Sequence, residues 1–393
     1  MSARLRGIAQ ETERIVAAGR YRAPDGREVL LAADIETARA GTRMYGPGPV
    51  EVPAFTPAAG FGPTAGCAPA DTFFEVTGES SLEAARRLGE GGLKAARRSG
   101  EGGPGAGRLL GDASAYRAAE PLAGGSAARA AEPLAGGSAV RAAGRLAGNS
   151  AVGAAAPPAG GSGAGSADPL ARGFGAGPAD VPAGGSAAGS ADPPAGRVAV
   201  LNFASARNPG GGFLNGAQAQ EEALCRASAL YTCLLKAREF YDHHRAHRDP
   251  FYTDRVIHSP AVPVFRDDHG RLLDSAHLVG FLTAAAPNAG VVRRTAPERV
   301  AELPRALAVR AEQVLSVAVA AGYRRLVLGA WGCGVFQNDP AQVAGAFRTL
   351  LAPGGRFAGA FEHVVFGVLD RTPGAVVREA FVRAFAERQP ARS

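Results

Sequence analysis

Apolar residues recur at helical spacing from residue 3 to about 19, with Leu5, Ile8, Ile15 and Val16 on one side, and Gly19 and Pro24-Asp25-Gly26 end the pattern. Strand-like runs follow at 29–31 and 73–76. The segment VTGESSLEAARRL reads as a strand entering a helix, with Ser80 or Ser81 at the N-cap and Glu83 in the first turn. A nearly continuous apolar run at 198–203 ends in a glycine turn, after which Leu224, Ala227, Tyr231, Leu234 and Leu235 fall at helical spacing. Buried-strand runs at 256–259, 279–284, 326–330 and 364–369 alternate with helical patterns over about 298–321, 340–351 and 374–387. This alternation predicts a three-layer α/β/α domain with an N-terminal helical extension and ligand loops at the carboxyl ends of its strands.

The middle of the chain breaks the pattern. LEAARRLGEGG is nearly repeated as LKAARRSGEGG, and from Ser114 a twelve-residue unit begins, as in SAYRAAEPLAGG and SAARAAEPLAGG. A fixed period can signal a solenoid, but these units offer few sizeable apolar residues and are punctuated by Gly-Gly and Pro. Burial on that scale does not offset the entropy of ordering. Residues 100–196 are therefore expected to be a disordered insertion within one catalytic domain made of 1–99 and 197–393, with a repeat-mediated binding tail as the competing view.

Charge and cysteines narrow the class. The net charge of +7 is concentrated in 197–393, which holds 24 basic and 17 acidic residues. That surplus attracts polyanions without naming one. Cys67, Cys225, Cys233 and Cys333 show no metal-ligand or disulfide spacing and read as reduced thiols. No apolar run reaches signal-peptide or membrane-helix length, so a cytoplasmic protein without membrane contact is expected. His243 and His247 lie four apart, but Arg245 and Arg248 beside them disfavour a cation, and no metal or other cofactor is called for. Asp267-Asp268-His269-Gly270 reads as a turn, and His258 and His363 as core residues.

Chemistry concentrates in NPGGGFLNGAQAQEE, from Asn208 to Glu222. Glycines 210–212 follow a buried strand, where N–H groups could wrap a diphosphate, and Glu221 and Glu222 open the next helix. Adjacent helical residues point about 100° apart, so the two carboxylates must do different work. The pairing suggests a glycosidase acting on a phosphorylated sugar.

Together with LNFASARNPGGGF and, near the end, GAWGCGVFQNDP, the GGG turn, short spacer and QEE resemble the bacterial, macrodomain-type poly(ADP-ribose) glycohydrolases. The resemblance covers about 1–99 and 197–390 and implies a macrodomain-like fold, with Gly78 standing where relatives often carry Asn. It assigns Glu222 as acid/base, Glu221 to ribose hydroxyls, and Asn208, Gly210, Gly211, Gly212 and Gln220 to the ligand site. Gly332, Cys333, Gly334 and Val335 would meet the diphosphate through backbone, and Phe336 the distal ribose. Glu222 would protonate the leaving oxygen and, once ionised, activate water, which requires a raised pKa. The implied substrate is poly(ADP-ribose) on modified proteins, cut from chain ends to give ADP-ribose, with no direct nucleic-acid partner. A non-catalytic ADP-ribose reader and a hydrolase of mono-ADP-ribosyl or acyl-ADP-ribose esters are the alternatives, and QEE argues against the reader.

Overall fold

A computed structural model describes residues 2–53, 72–100 and 198–386. Cys67 and the repeats expected to loop out lie outside the described residues. Ten α-helices occur among those residues: α1 Ala3–Ala18, α2 Ala32–Gly41, α3 Ser81–Gly100, α4 Gln220–Ala227, α5 Leu230–Leu234, α6 Arg238–Ala246, α7 Ala289–Thr295, α8 Leu303–Ala320, α9 Pro340–Leu351 and α10 Val376–Phe385. The strands are β1 Arg20–Arg22, β2 Glu28–Leu30, β3 Arg43–Tyr45, β4 Phe73–Thr77, β5 Val198–Phe203, β6 Val256–Arg266, β7 Leu272–Ala284, β8 Arg325–Gly329 and β9 His363–Gly367. β1 and β2 form a small hairpin, and the other seven make one sheet in the order β3-β6-β7-β5-β8-β9-β4.

Neighbours from β7 to β4 run parallel, whereas β6 is antiparallel to both β3 and β7. Alternate residues of β5 enter different cores, as expected for a strand covered on both faces. Val198 and Val200 join side chains of α1, α2, α3, α4 and α5. Ala199 and Leu201 join those of α8, α9 and α10. The structure is thus a mixed α/β fold around one large sheet.

Several local signals hold. Ser80 and Glu83 form a reciprocal capping box at α3: Glu83 N–H donates to Ser80 Oγ at 3.1 Å, and Ser80 N–H to Glu83 Oε2 at 3.0 Å. Gly19 closes α1 in the left-handed region at φ 64°. Residues 267–270 turn between β6 and β7, with Gly270 at φ 84°.

Two departures have clear causes. The helix expected through Leu235 breaks at Ser228, whose extended backbone bridges to Val264 while Ala229 N–H donates to Pro263 O at 3.1 Å. Sheet contact outweighs helical propensity there. The short strands expected at 256–259 and 279–284 are the ends of a long hairpin. Pro260 and Pro263 argue against a continuing strand, yet β3 pairs only with 256–258, and a bulge follows Ser259.

Candidate functional site

β5 lies between β7 and β8, parallel to both, so the loops after all three strands open at one edge of the sheet. In α/β sheets a crevice outside the carboxyl ends of neighbouring strands is where ligands bind. The loop after β5 carries Asn208 to Gly212, and the loop after β8 carries Gly332 to Phe336.

α4 starts without a capping side chain at Ala219; its first residue instead ties it down. Gln220 Oε1 accepts Phe203 N–H at 2.9 Å, and Nε2 donates to Leu201 O at 2.8 Å and to Ser81 Oγ at 3.1 Å. The amide expected at the ligand therefore spends its bonds fastening α4 to the end of β5 and the start of α3.

That anchor buries both carboxylates, leaving Glu221 2% and Glu222 8% exposed. Glu221 Oε2 accepts Ser205 N–H at 2.6 Å, and Oε1 accepts Asn202 Nδ2 at 3.3 Å. Asn202, fully buried, also donates to Thr283 Oγ1 at 3.1 Å. Glu222 Oε1 accepts Gly212 N–H at 2.8 Å, while its Oε2 has no hydrogen-bond partner among the described residues. Burial pushes the Glu221 carboxyl up to about 8. Bonds from Ser205, Asn202 and the Gly210 backbone oppose this rise, and the Glu222 charge adds to it. The raised carboxyl was expected at Glu222; the one that burial raises is its neighbour Glu221.

The glycine run is built around these acids. Gly210 N–H turns to Glu221, Gly211 N–H donates to Asn208 O at 2.9 Å, and Gly212 N–H serves Glu222. The groups expected to wrap a diphosphate thus face protein acceptors, the two carboxylates and the Asn208 carbonyl. Gly211 has φ 58°, and a Cβ there would sit 2.4 Å from Glu222 Oε1. Gly210, at φ 64°, leaves no room beside the Tyr231 ring. Asn208 is exposed, and its N–H donates to Ser205 Oγ at 3.4 Å.

The loop after β8 differs. Its base is fixed by Trp331 Nε1 donating to Ala284 O at 3.0 Å, and by the buried Asn338 amide donating to Pro287 O at 2.8 Å and Gly332 O at 3.1 Å. Gly332 adopts φ 71° against Ala286 and Asn338. Cys333 N–H donates to Ala330 O, but no acceptor among the described residues takes the N–H groups of Gly332, Gly334, Val335 or Phe336. Val335 is 82% exposed. Burial lifts the Cys333 thiol to about 12, which makes it backbone scaffold rather than a thiolate. The Phe336 ring lies 5.8 Å from that of Tyr252, a residue held at φ 57°. That strained tyrosine had no signal in the sequence.

Other groups fall outside the site. His243 and His247 stack at 4.1 Å on the end of α6, and no cluster of three metal-ligating side chains occurs among the described residues. His258 Nε2 pairs with Tyr323 OH at 2.9 Å and His363 with Glu75 at 3.1 Å. Cys225, Cys233 and Cys333 are free. No helix of the described residues is long and apolar enough to cross a membrane.

Comparison with known proteins bears on these residues. The family model described as "Microbial-type PARG, catalytic domain" matches residues 9–102 and 185–267. The crystal structure of poly(ADP-ribose) glycohydrolase from Thermomonospora curvata is 36% identical, covering 98% of this chain and 100% of that one, with a TM-score of 0.63. The structure of that enzyme bound to the inhibitor ADP-HPD matches equally. A Deinococcus radiodurans poly(ADP-ribose) glycohydrolase in complex with ADP-ribose is 52% identical over 49% of this chain and 76% of its own, with a TM-score of 0.46. No curated protein matches.

Proposed function

The chain belongs to the microbial-type poly(ADP-ribose) glycohydrolases, and on that premise we propose that it hydrolyses ribose–ribose O-glycosidic bonds of poly(ADP-ribose) from the chain end, releasing ADP-ribose. The supporting observation is the pair of buried carboxylates at the start of α4, one raised by burial and the other with an unpartnered oxygen. Glu222 Oε2, buried and without a hydrogen-bond partner among the described residues, is the atom this reading assigns to protonate the departing 2′-oxygen as the C–O bond breaks. Positive charge then develops at the anomeric carbon, and the Glu222 carboxylate takes a proton from the attacking water. Glu221, neutral through much of the range below about 8, can donate as well as accept at the ribose hydroxyls.

On this reading the diphosphate rests on the loop after β8, where four N–H groups are open, with Phe336 against the distal ribose. Gly210, Gly211 and Gly212 contribute a close backbone surface rather than donors. Tyr252 backs Phe336, and Asn208 lies at the rim. Binding of ADP-HPD by the Thermomonospora relative is consistent with an ADP-ribose-shaped site. We read the sheet with its two cores as a three-layer, macrodomain-like arrangement in a cytoplasmic enzyme. Residues 100–196 are an insertion into one catalytic domain, in line with the break in the family match between 102 and 185.

Incubating the purified protein with an auto-modified poly(ADP-ribose) polymerase tests this. Free ADP-ribose as the main product is expected. Binding without release would indicate a reader, and loss of only the protein-linked unit a mono-ADP-ribosyl hydrolase.

A further inference from the structure

One turn beyond Glu222, α4 carries Arg226, only 9% exposed. Its Nη1 donates to Ala217 O at 2.6 Å, and no carboxylate of the described residues lies within ion-pairing distance. A guanidinium taken from water with no paired carboxylate is costly, and one carbonyl is thin compensation. Its surroundings explain why it is there.

Residues four apart on a helix have Cβ atoms about 5–6 Å apart, so Arg226 and Glu222 share a face of α4. The ionisable groups that act on this helix are mostly acids: Glu221 and Cys225 on α4, Tyr231 on α5, Tyr241 on α6 and Glu13 on α1. The buried Arg266 of β6, which donates to Thr12 Oγ1 at 3.2 Å, is itself paired with Glu11 at 3.0 Å. The Cys225 thiol is pushed up by burial and by the fields of Glu221, Glu222 and Glu13, and Arg226 alone acts in the opposite sense. Arg238 acts on Tyr231 rather than on the acids of α4.

Hydrogen bonds close a circuit through the same residues. Arg226 donates to Ala217 O, Ala217 N–H to Gly212 O at 3.2 Å, and Gly212 N–H to Glu222 Oε1 at 2.8 Å. Thr12 of α1 anchors the circuit from behind, its Oγ1 donating to Arg226 O at 2.7 Å. Arg226 thus acts on Glu222 twice, through its charge and through the loop that presents the Gly212 N–H.

We propose that Arg226 is a positioning residue for Glu222: its buried charge stabilises the carboxylate left after proton donation, and its bond to Ala217 keeps the Gly212 N–H on that carboxylate. The inference rests on the glycosidase reading above. Proton balance is unaffected: Glu222 gives one proton to the departing oxygen and regains one from water, while Arg226 keeps its own throughout.

Two variants separate charge from hydrogen bonding. Arg226→Gln can still donate to Ala217 O but is neutral; Arg226→Lys keeps the charge. ADP-ribose release would be followed across pH for the wild type and both variants. For Arg226→Gln we expect kcat to fall at least about tenfold and the alkaline limb of kcat/KM to move up by about one pH unit, because the acid form persists when the cation is gone. KM should stay within about twofold, since Arg226 does not reach the substrate. For Arg226→Lys the limb should remain at the wild-type position with much of kcat restored. A Gln variant with the wild-type profile, or a Lys variant that follows Gln, overturns the proposal. Should Gln fail to fold, Arg226→Met supplies the neutral arm: a limb displaced upward supports the role, and a limb at the wild-type position overturns it. Absence of ADP-ribose release by the wild type would instead overturn the glycosidase reading.

Discussion

Replacing Glu221 by Gln tests the electrostatics of the acid pair through folding. Burial raises the Glu221 carboxyl from 4.5 to about 8. The folded value lies above the unfolded one, so over that interval the native protein keeps a proton that the unfolded chain has released. The stability linked to that proton is complete below about 4.5 and is lost as pH climbs through about 8. Each unit of pH is worth about 1.4 kcal/mol, so an interval of this width amounts to about 2–5 kcal/mol. Gln is nearly isosteric, can still accept from Ser205 N–H, and does not titrate. The variant should therefore gain on the wild type steadily between about pH 5 and pH 8.5 and level off above, by about 2–5 kcal/mol. Urea unfolding of both ligand-free proteins at fixed ionic strength measures this. A difference that stays flat with pH would refute burial as the source of the shift. A difference of opposite sign would mean that the bonds from Ser205 and Asn202 outweigh desolvation.

Glu222→Gln should lose at least about 10²-fold in turnover while calorimetry finds its ADP-ribose affinity nearly unchanged; retained turnover would remove the proposed acid. Gly211→Ala, which places a Cβ 2.4 Å from Glu222 Oε1 at φ 58°, should lose about 1–3 kcal/mol in urea unfolding and most of its activity. Gly334→Ala, whose Cβ would have nothing within 4 Å, should fold like the wild type, and equal losses at both positions would sink the steric argument. Ser80→Ala removes one half of the capping box and the bond from Ser80 Oγ to Asp268, and should lower stability by about 1 kcal/mol without changing turnover, since among the described residues α3 bonds to Gln220 through Ser81.

Legibility in the sequence followed how local each determinant was. α9 occupies the residues its pattern predicts, because Asp339 caps it by accepting Gln342 N–H and Pro340 stands at its first position. Periodicity missed α2, whose one large apolar residue is Ile35, β3, only three residues long, and the outer half of β7, where Asp274, Ser275 and Leu278 are exposed on a hairpin arm. The break at Ser228 depended on a strand more than thirty residues away. In the site, the glycine turn and the two adjacent acids were readable in the sequence, and the division of work between the acids was implied only by the family resemblance. What Gln220 and the glycine N–H groups bond to was not, since those partners come from β5 and from the acids themselves. Arg226 stood in plain view four residues after Glu222, but only its burial singles it out.

The fit between Gly211 and Glu222 makes the two positions hostages of one another in evolution. As long as the glutamate stays, nearly any side chain at 211 strikes its carboxylate. If the glutamate is lost, the steric veto lifts, and only the left-handed backbone still favours glycine. Descendants that gave up cleavage and kept binding would then be free to drift first at 211, so that wear at the middle glycine would date the loss of catalysis more faithfully than change elsewhere in the loop.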